Sequence, residues 1–169
     1  MSEVLNRPAP PPDHTARYGS HREQVVDLRM PKDGPANGTL VVLIHGGFWR
    51  AAYDRTHTGP LADALASSGF AVCTPEYRRT GQPGGGWPGT FDDVAAAMDV
   101  LPGRVARELD GVAVMGPVVL AGHSAGGHLA LWAAVIRGSI SRNTERSSKV
   151  PGQPPPKEPT RRYSGTTTV

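Results

Sequence analysis

Two glycine-rich turns hold the residues whose types and spacing could do chemistry. The first is GHSAG at residues 122–126, which lies between an apolar run and a run of helix formers. The G-x-S-x-G spacing is typical of a sharp strand-to-helix turn that exposes a serine hydroxyl above the sheet. The helix that begins there directs its free N–H groups toward the same place. The pattern predicts Ser124 as a nucleophile, and the open alternative is an ordinary glycine-rich turn.

The second turn is HGGFW at residues 45–49, which also follows an apolar run. Attack on an ester or amide carbonyl generates an oxyanion, and backbone N–H groups in a glycine loop can stabilise it. We predict that Gly46, Gly47 and Phe48 contribute these donors. The N–H of Ala125, directly after the serine, would be their partner. The alternative is a tight turn that needs glycine only for its backbone angles.

Three further side chains are candidates for lining a substrate site. Trp87 lies in GGGWPG at residues 84–89, Trp49 ends the first glycine turn, and His123 precedes the serine. Indole rings would offer an aromatic wall for an acyl or aryl group. Ordinary core or rim packing explains the same residues equally well.

These turns need a sheet to position them, and the pattern of the chain supplies one. Continuous apolar runs suit strands that are buried on both faces of a parallel sheet. Helix formers separate these runs, and the alternation predicts an α/β fold with a doubly wound sheet. The predicted strands cover residues 24–30, 39–47, 70–77 and 117–122, and the predicted helices cover 60–69, 90–104 and 125–136.

Four motifs together resemble the α/β-hydrolase family, in its esterase/lipase branch with an HGG oxyanion loop, which includes kynurenine formamidase-like enzymes. HGGFWR, PEYRR, GGGWPGTFDDV and GHSAGGHLAL occur in the order and spacing of that branch. The resemblance covers residues 25–136. It implies a three-layer, mostly parallel sheet and hydrolysis of carboxylic esters or aryl formamides by a serine nucleophile, with no cofactor.

The resemblance also implies an acid and a histidine that follow the serine along the chain. Here 45 residues follow Ser124, the last histidine is His128, and the only later acids are Glu145 and Glu158. We interpret His45, His57, His123 and His128 as structural. We therefore expect the N-terminal part of a hydrolase domain with impaired catalysis, whose 117–122 strand forms an exposed edge. A frameshift, an alternative end or a gene-model error could each explain this pattern. A non-catalytic binding protein or a non-functional fragment is the alternative.

The two ends of the chain differ from its middle. Residues 1–20 are proline-rich and predict a flexible arm, residues 21–137 predict the partial domain, and residues 138–169 predict a disordered tail. The net charge of +3 comes from the tail, because the first 136 residues hold 11 Lys/Arg against 13 Asp/Glu. This balance and the absence of nucleic-acid motifs disfavour nucleic-acid binding.

The sequence also bears on compartment and ligands. It has no secretory signal and no run long enough to span a membrane, so we expect a cytoplasmic protein. Cys73 is the single cysteine, which is compatible with a reducing compartment. No cluster of residues at ligand spacing predicts a metal site. We expect a small-molecule ester or amide as partner, and the sequence leaves the oligomeric state open.

Overall fold

Five strands form one mixed sheet in the computed structural model, which describes residues 7–32, 38–108 and 116–147. The strand order is β1-β2-β4-β3-β5. β3 pairs in parallel with β4 and with β5, whereas β2 is antiparallel to both β4 and β1. The strands are β1 (His14–Arg17), β2 (Val25–Arg29), β3 (Leu40–Ile44), β4 (Ala71–Pro75) and β5 (Val118–Gly122).

Three helices cover the two faces of this sheet. They are α1 (Gly59–Ser67), α2 (Gly89–Glu108) and α3 (Ala125–Ser147), and a short 3-10 helix (Arg55–Thr58) precedes α1. Alternate residues of β3 point to opposite faces, as the pleat of a strand requires. Val41 and Leu43 pack with α1, while Leu40, Val42 and Ile44 join a larger core with α2 and α3. The predicted three-layer α/β fold is confirmed.

The middle strands are completely covered, as their continuous apolar sequences predict. All five residues of β3 and all five of β4 are buried. Cys73 lies in the centre of β4, opposite Leu28 on one side and Val42 on the other. Its thiol is free and buried, and burial raises its pKa well above the usual range. The strand predicted for residues 70–77, which includes Cys73, is therefore confirmed over Ala71–Pro75.

The proline-rich arm predicted for residues 1–20 is wrong over its second half. His14–Arg17 forms β1, which pairs with β2 along four residues. Before it, the Arg29 guanidinium donates hydrogen bonds to the carbonyls of Pro10 and Pro11, at 2.6 and 3.2 Å. Proline lacks an N–H but keeps its carbonyl, so a buried arginine can hold such a segment against the domain. Residues 1–6 lie outside the described part.

The end predicted for the last helix is also wrong. α3 continues to Ser147, eleven residues beyond the helix end predicted at residue 136. Adding a residue to an existing helix costs little compared with starting one, and the first later proline is Pro151. Residues 138–147, which were predicted to be part of a disordered tail, therefore belong to this helix. Its remainder, residues 148–169, lies outside the described residues.

β5 forms the outer edge of the described sheet, as expected. It pairs with β3 on one side, and Val118 and Val119 are 42% and 44% exposed. On α3, Leu131 is exposed as well, at 67%. Within the described ranges, no helix is both long enough and apolar enough to cross a bilayer.

Candidate active site

Ser124 lies in the turn that joins β5 to α3, as predicted. Its φ is 55°, in the left-handed region that residues other than glycine rarely adopt. Such a conformation costs about 1–3 kcal/mol and persists where the surroundings enforce it. Here the N–H of Gly126 donates to the His123 carbonyl at 2.9 Å, and that of Gly127 donates to the Ser124 carbonyl at 2.9 Å. The turn thus holds an exposed serine at the start of a helix.

The glycine loop at residues 45–49 lies directly beside this turn. A Cβ on Gly46 would lie 2.6 Å from the His123 carbonyl oxygen and 3.2 Å from Ser124 Cβ. A Cβ on Gly126 would lie 2.0 Å from the carbonyl oxygen of Ile44. Only glycine permits these approaches, because any side chain would force the two backbones apart. The two motifs therefore meet, although 78 positions separate Gly46 from Ser124 in the chain.

The loop has an unusual backbone. Gly47, Phe48 and Trp49 have φ values of 110°, 55° and 57°. Among the described residues, no hydrogen bond uses the N–H of Gly47, Phe48 or Ala125, whereas the Arg50 amide, at the end of the loop, donates to the Gly47 carbonyl at 2.9 Å. A run of positive φ values turns successive amides away from the regular ladder, which leaves donors for an external acceptor.

A buried polar pair lies under the loop. The His45 side chain is fully buried, its Nε2 is 2.8 Å from Glu76 Oε1, and its Nδ1 is 2.8 Å from the Gly46 carbonyl oxygen. The Tyr77 ring stacks on it at 4.3 Å, and the Tyr77 hydroxyl donates to the His45 carbonyl at 2.8 Å. Arg55 donates its backbone N–H to Glu76 Oε2 at 3.0 Å. His45 is therefore a structural part of the loop, as predicted.

Burial and partners act in opposite directions on the Glu76 carboxyl. Burial alone would raise its pKa, but the hydrogen bond and charge of His45, the charge of Arg79 and the Arg55 N–H together lower it below the ordinary value. Sequence reasoning missed Glu76, although PEYRR was among the quoted motifs. The available signal was a lone acid directly after a buried strand that neighbours the strand of the glycine loop.

The other histidines near the turn do not hydrogen-bond Ser124 Oγ in the described part of the chain. The His57 ring meets the His45 ring edge-on at 5.7 Å. Burial, followed by the nearby His45, lowers the pKa of His57 below its usual value. The His128 ring meets Trp49 at 5.7 Å, and His123 is exposed in the turn itself. A general base for Ser124 is thus not assembled by these side chains.

Aromatic rings continue from the loop along one side of the turn. Trp49 contacts His128, His128 contacts Phe91 at 5.9 Å, and Phe91 contacts Trp87 at 5.0 Å, all with edge-on geometry. Trp87 is 77% exposed, whereas Trp49 packs partly against the core. These contacts join the predicted lining residues Trp49 and Trp87, whereas His123 lies in the turn beside Gly46. Phe91 and His128, which link them, were not predicted in this role.

A cavity of about 360 Å³ lies away from these residues. It is lined by the segment before β1 and by side chains of β2, β4 and the 3-10 helix, and neither Ser124 nor the glycine loop lines it. Among the described residues, no group of three acidic, histidine or cysteine side chains is arranged to hold a metal ion.

Solved structures of esterases share this arrangement of strands and helices. Esterase B from Lactobacillus rhamnosis superposes with a TM-score of 0.63 at 28% identity, over 86% of this chain and 47% of that one. The hyperthermophilic esterase from the archaeon Pyrobaculum calidifontis gives 0.59 at 25% identity, over 83% and 43%. A proposed thioesterase from Silicibacter sp. TM1040 gives 0.53 at 33% identity, over 69% and 40%. The chain thus spans less than half the length of these structures.

A search of curated proteins finds no match. The comparison with family profiles agrees with the structural comparisons. The profile of the BD-FAE family matches residues 26–153, which include both glycine turns and most of the chain. BD-FAE domains are esterase domains of the α/β-hydrolase type, the fold that the four sequence motifs imply. The chain belongs to the BD-FAE family.

Proposed function

We propose that this chain carries the nucleophile and the oxyanion hole of a serine esterase. Ser124 is the nucleophile, and the N–H groups of Gly46, Gly47, Phe48 and Ala125 are the oxyanion donors. The observation that carries the proposal is the contact between the two turns, in which Gly46 lies against Ser124 with no room for a Cβ. The substrates are carboxylic esters or aryl formamides, as in the arylformamidase-like and lipase enzymes that the motifs resemble.

The chemistry follows from this placement. Ser124 Oγ attacks the carbonyl carbon, and the carbonyl oxygen takes the negative charge of the tetrahedral intermediate. Amides without another acceptor can donate to that oxygen at the moment when its charge develops. The C–O or C–N bond then breaks, the leaving group departs with a proton, and water releases the acyl group from Ser124. The proton that Oγ loses must pass to a base.

That base is the part for which the described residues offer no candidate. His45 is buried with both nitrogens engaged, and the His128 ring lies among aromatic side chains. A serine without a base is a poor nucleophile. We therefore propose that the 169 residues hydrolyse activated esters slowly, through binding and the oxyanion hole alone.

A serine-directed phosphonate tests the nucleophile without requiring turnover. The protein is incubated with the probe, and the modified peptide is located by mass spectrometry. We expect slow, single-site modification of Ser124 and none in Ser124→Ala. Ser67→Ala is the matched control, because Ser67 is also an exposed serine but lies at the far end of α1. Labelling spread over several serines, or retained in Ser124→Ala, would contradict the proposal.

A longer form of the chain that adds a late Asp and a late His tests the missing base. With p-nitrophenyl acetate, we expect the longer form to be faster by several orders of magnitude, because a base and its orienting acid act as one unit. Ser124→Ala should abolish that gain and change little in the 169-residue chain. Fast turnover by the 169-residue chain that depends on Ser124 would show that a base is present, and His45, His57 and His128 would be substituted next.

The exposed edge of β5 favours a second candidate function, which is binding without turnover. An apolar edge strand with unpaired backbone groups is a template for strand addition. Val118 and Val119 occupy such an edge in the described sheet. Sedimentation of the purified chain alone tests this function in its simplest form, since self-pairing through β5 would give a dimer that a charged substitution at Val119 dissociates.

A further inference from the structure

The His45 side chain has two partners, and both are acceptors. Its Nδ1 lies 2.8 Å from the Gly46 carbonyl oxygen, which has no proton to donate. Its Nε2 lies 2.8 Å from Glu76 Oε1. A neutral imidazole carries one proton and could satisfy only one of these contacts, unless the carboxyl itself held a proton. The protonation of His45 therefore depends on whether Glu76 is ionised.

The surroundings of Glu76 favour the ionised carboxylate. Oε1 accepts the Tyr77 N–H at 3.0 Å, and Oε2 accepts the Arg55 N–H at 3.0 Å. The Arg79 Nε lies 3.3 Å from Oε1, which is close enough for charge attraction, and an Arg55 guanidinium nitrogen lies 3.8 Å from Oε2. Because both oxygens face donors, the hydrogen bonds and ion pairs stabilise the ionised carboxylate more than the protonated carboxyl. Both nitrogens of His45 must then carry protons.

The other titratable groups around His45 fit a positive charge. The Tyr77 ring stacks on the imidazole, and burial raises the Tyr77 pKa, so its hydroxyl keeps the proton that it donates to the His45 carbonyl. His57 packs edge-on against His45 and has a lowered pKa, to which His45 contributes after burial. His123 is exposed in the adjacent turn. Glu76 is thus the acidic group in direct contact with the His45 ring.

The hydrogen bond from His45 also fixes a peptide plane. In a trans peptide, the carbonyl of one residue and the N–H of the next point in opposite directions. Because His45 Nδ1 holds the Gly46 carbonyl toward the buried ring, the Gly47 N–H of the same peptide points away from that ring. Gly47 itself has a positive φ, as do the two residues that follow it in the loop. A side chain in the core thereby sets the direction of a donor at the surface.

We infer that His45, held as an imidazolium by Glu76, is a positioning residue that fixes the Gly46–Gly47 peptide and so aims the Gly47 N–H as an oxyanion donor. The inference rests on the proposed function for the donor role, whereas the charge state of His45 stands by itself. Its positive charge, buried next to the loop, also favours a negative charge on a bound carbonyl oxygen.

The charge state is measured by NMR on the folded, ¹⁵N-labelled chain. Long-range ¹H–¹⁵N correlation spectra distinguish an imidazolium from each neutral tautomer, and His45→Gln assigns the signals. At pH 7.5 we expect both ring nitrogens of His45 to be protonated. In Glu76→Gln we expect a neutral ring with its proton on Nδ1, because the amide can donate to Nε2. A wild-type His45 with one unprotonated nitrogen would overturn the inference, whatever Ser124 does.

Phosphonate labelling of Ser124 then tests the charge and the positioning role separately. Glu76→Gln removes the positive charge but keeps the Nδ1 hydrogen bond, and it should lower the labelling rate about tenfold. His45→Gln removes the Nδ1 hydrogen bond as well and should approach the loss of about 10²–10³ expected when an oxyanion donor is removed outright. Glu23→Gln is the matched control, because Glu23 pairs with the same Arg79 at 2.8 Å but does not contact His45. We expect it to keep both the imidazolium and the wild-type rate.

The outcomes separate the two proposals. If wild-type Ser124 is not labelled at all, the nucleophile proposal fails, and the NMR result still decides the state of His45. If Ser124 is labelled and Glu76→Gln neutralises His45 without slowing labelling, the contribution of the positive charge is overturned. If His45→Gln, whose amide reaches toward the place of Nε2 and not that of Nδ1, is labelled at the wild-type rate, the positioning role is overturned. If Glu76→Gln does not fold, the wild-type spectrum alone decides the charge state, and Arg55→Ala, which removes the 3.8 Å ion pair, should slow labelling in its place.

Discussion

The two sides, or flanks, of the Ser124 turn differ in how completely their residues are buried and paired. On the side of β3 and β4, His45 and Glu76 are buried, their polar atoms have partners, and both strands are covered on both faces. On the side of β5, Val118 and Val119 are partly exposed, and the described sheet ends. The difference indicates that the glycine loop at residues 45–49, the proposed oxyanion loop, is supported by residues of this chain, whereas in the described sheet the strand that leads to the serine is paired on one side.

The buried flank should therefore respond more strongly to substitution. Glu76→Ala leaves His45, Arg55 and Arg79 without their shared carboxylate, and removal of one partner of a buried ion pair costs about 3–5 kcal/mol. We expect a loss of that size in the free energy of unfolding, measured by urea titration. Asp99→Ala removes an ion pair with Arg137 whose side chains are 73% and 46% exposed, and it should change little. Equal effects of the two substitutions would remove the basis of the comparison.

The contact between the flanks is the next most sensitive point. In Gly126→Ala, the new Cβ would meet the Ile44 carbonyl, a backbone atom that cannot swing away. Overpacking of this kind costs about 1–3 kcal/mol. Gly103→Ala is the control, because Gly103 is an exposed position of α2 whose Cβ would meet only the flexible Arg107 side chain, at 3.8 Å. Alanine there should stabilise the helix by about 0.5–1 kcal/mol. Thermal melts of both variants should move in opposite directions.

A pH titration distinguishes the buried carboxylate from the rest. Because the folded pKa of Glu76 is lowered, its ionised form stabilises the fold above its unfolded pKa of about 4.3, and that stability is lost as the pH falls. We expect the free energy of unfolding to drop between pH 5 and acid more steeply in the wild type than in Glu76→Gln. Asp93, which also has a lowered pKa beside Arg78, should leave a residual slope in the variant. If the free energy of unfolding fell with pH equally in the wild type and in Glu76→Gln, the ion pairing of the Glu76 carboxylate would be contradicted.

The exposed flank should give the smallest effect on stability. Val119 and Val41 face each other across β5 and β3, yet Val119 is 44% exposed and Val41 is 5% exposed. Val119→Lys should change the free energy of unfolding by no more than about 0.5 kcal/mol and should suppress association through the edge. Val41→Lys places the same charge in the core and should unfold the domain. A large loss of stability in Val119→Lys would mean that the β5 edge is covered.

The sequence predicted the parts of this molecule that depend on local pattern. Continuous apolar runs located β3, β4 and β5, the glycine spacings located both turns, and the need for paired oxyanion donors predicted that the turns lie together. It did not predict β1, because HTAR has no apolar alternation and is held by backbone pairing with β2. It did not predict the His45–Glu76 pair, because the two residues lie 31 positions apart and meet only when β3 and β4 pair. A contact between polar groups that are far apart in the chain produces no periodic pattern in the sequence.

Cys73 allows a thiol reagent to report when the middle of the sheet opens. Cys73 lies on β4 between β2 and β3, its side chain is fully buried in the larger core, and burial holds the thiol in the unreactive protonated form. Because the chain has no other cysteine, alkylation at this position records each opening of the central strands and nothing else. Cys73 alkylation would therefore report opening of the central strands independently of the proposed reaction of Ser124, which takes place on the folded surface.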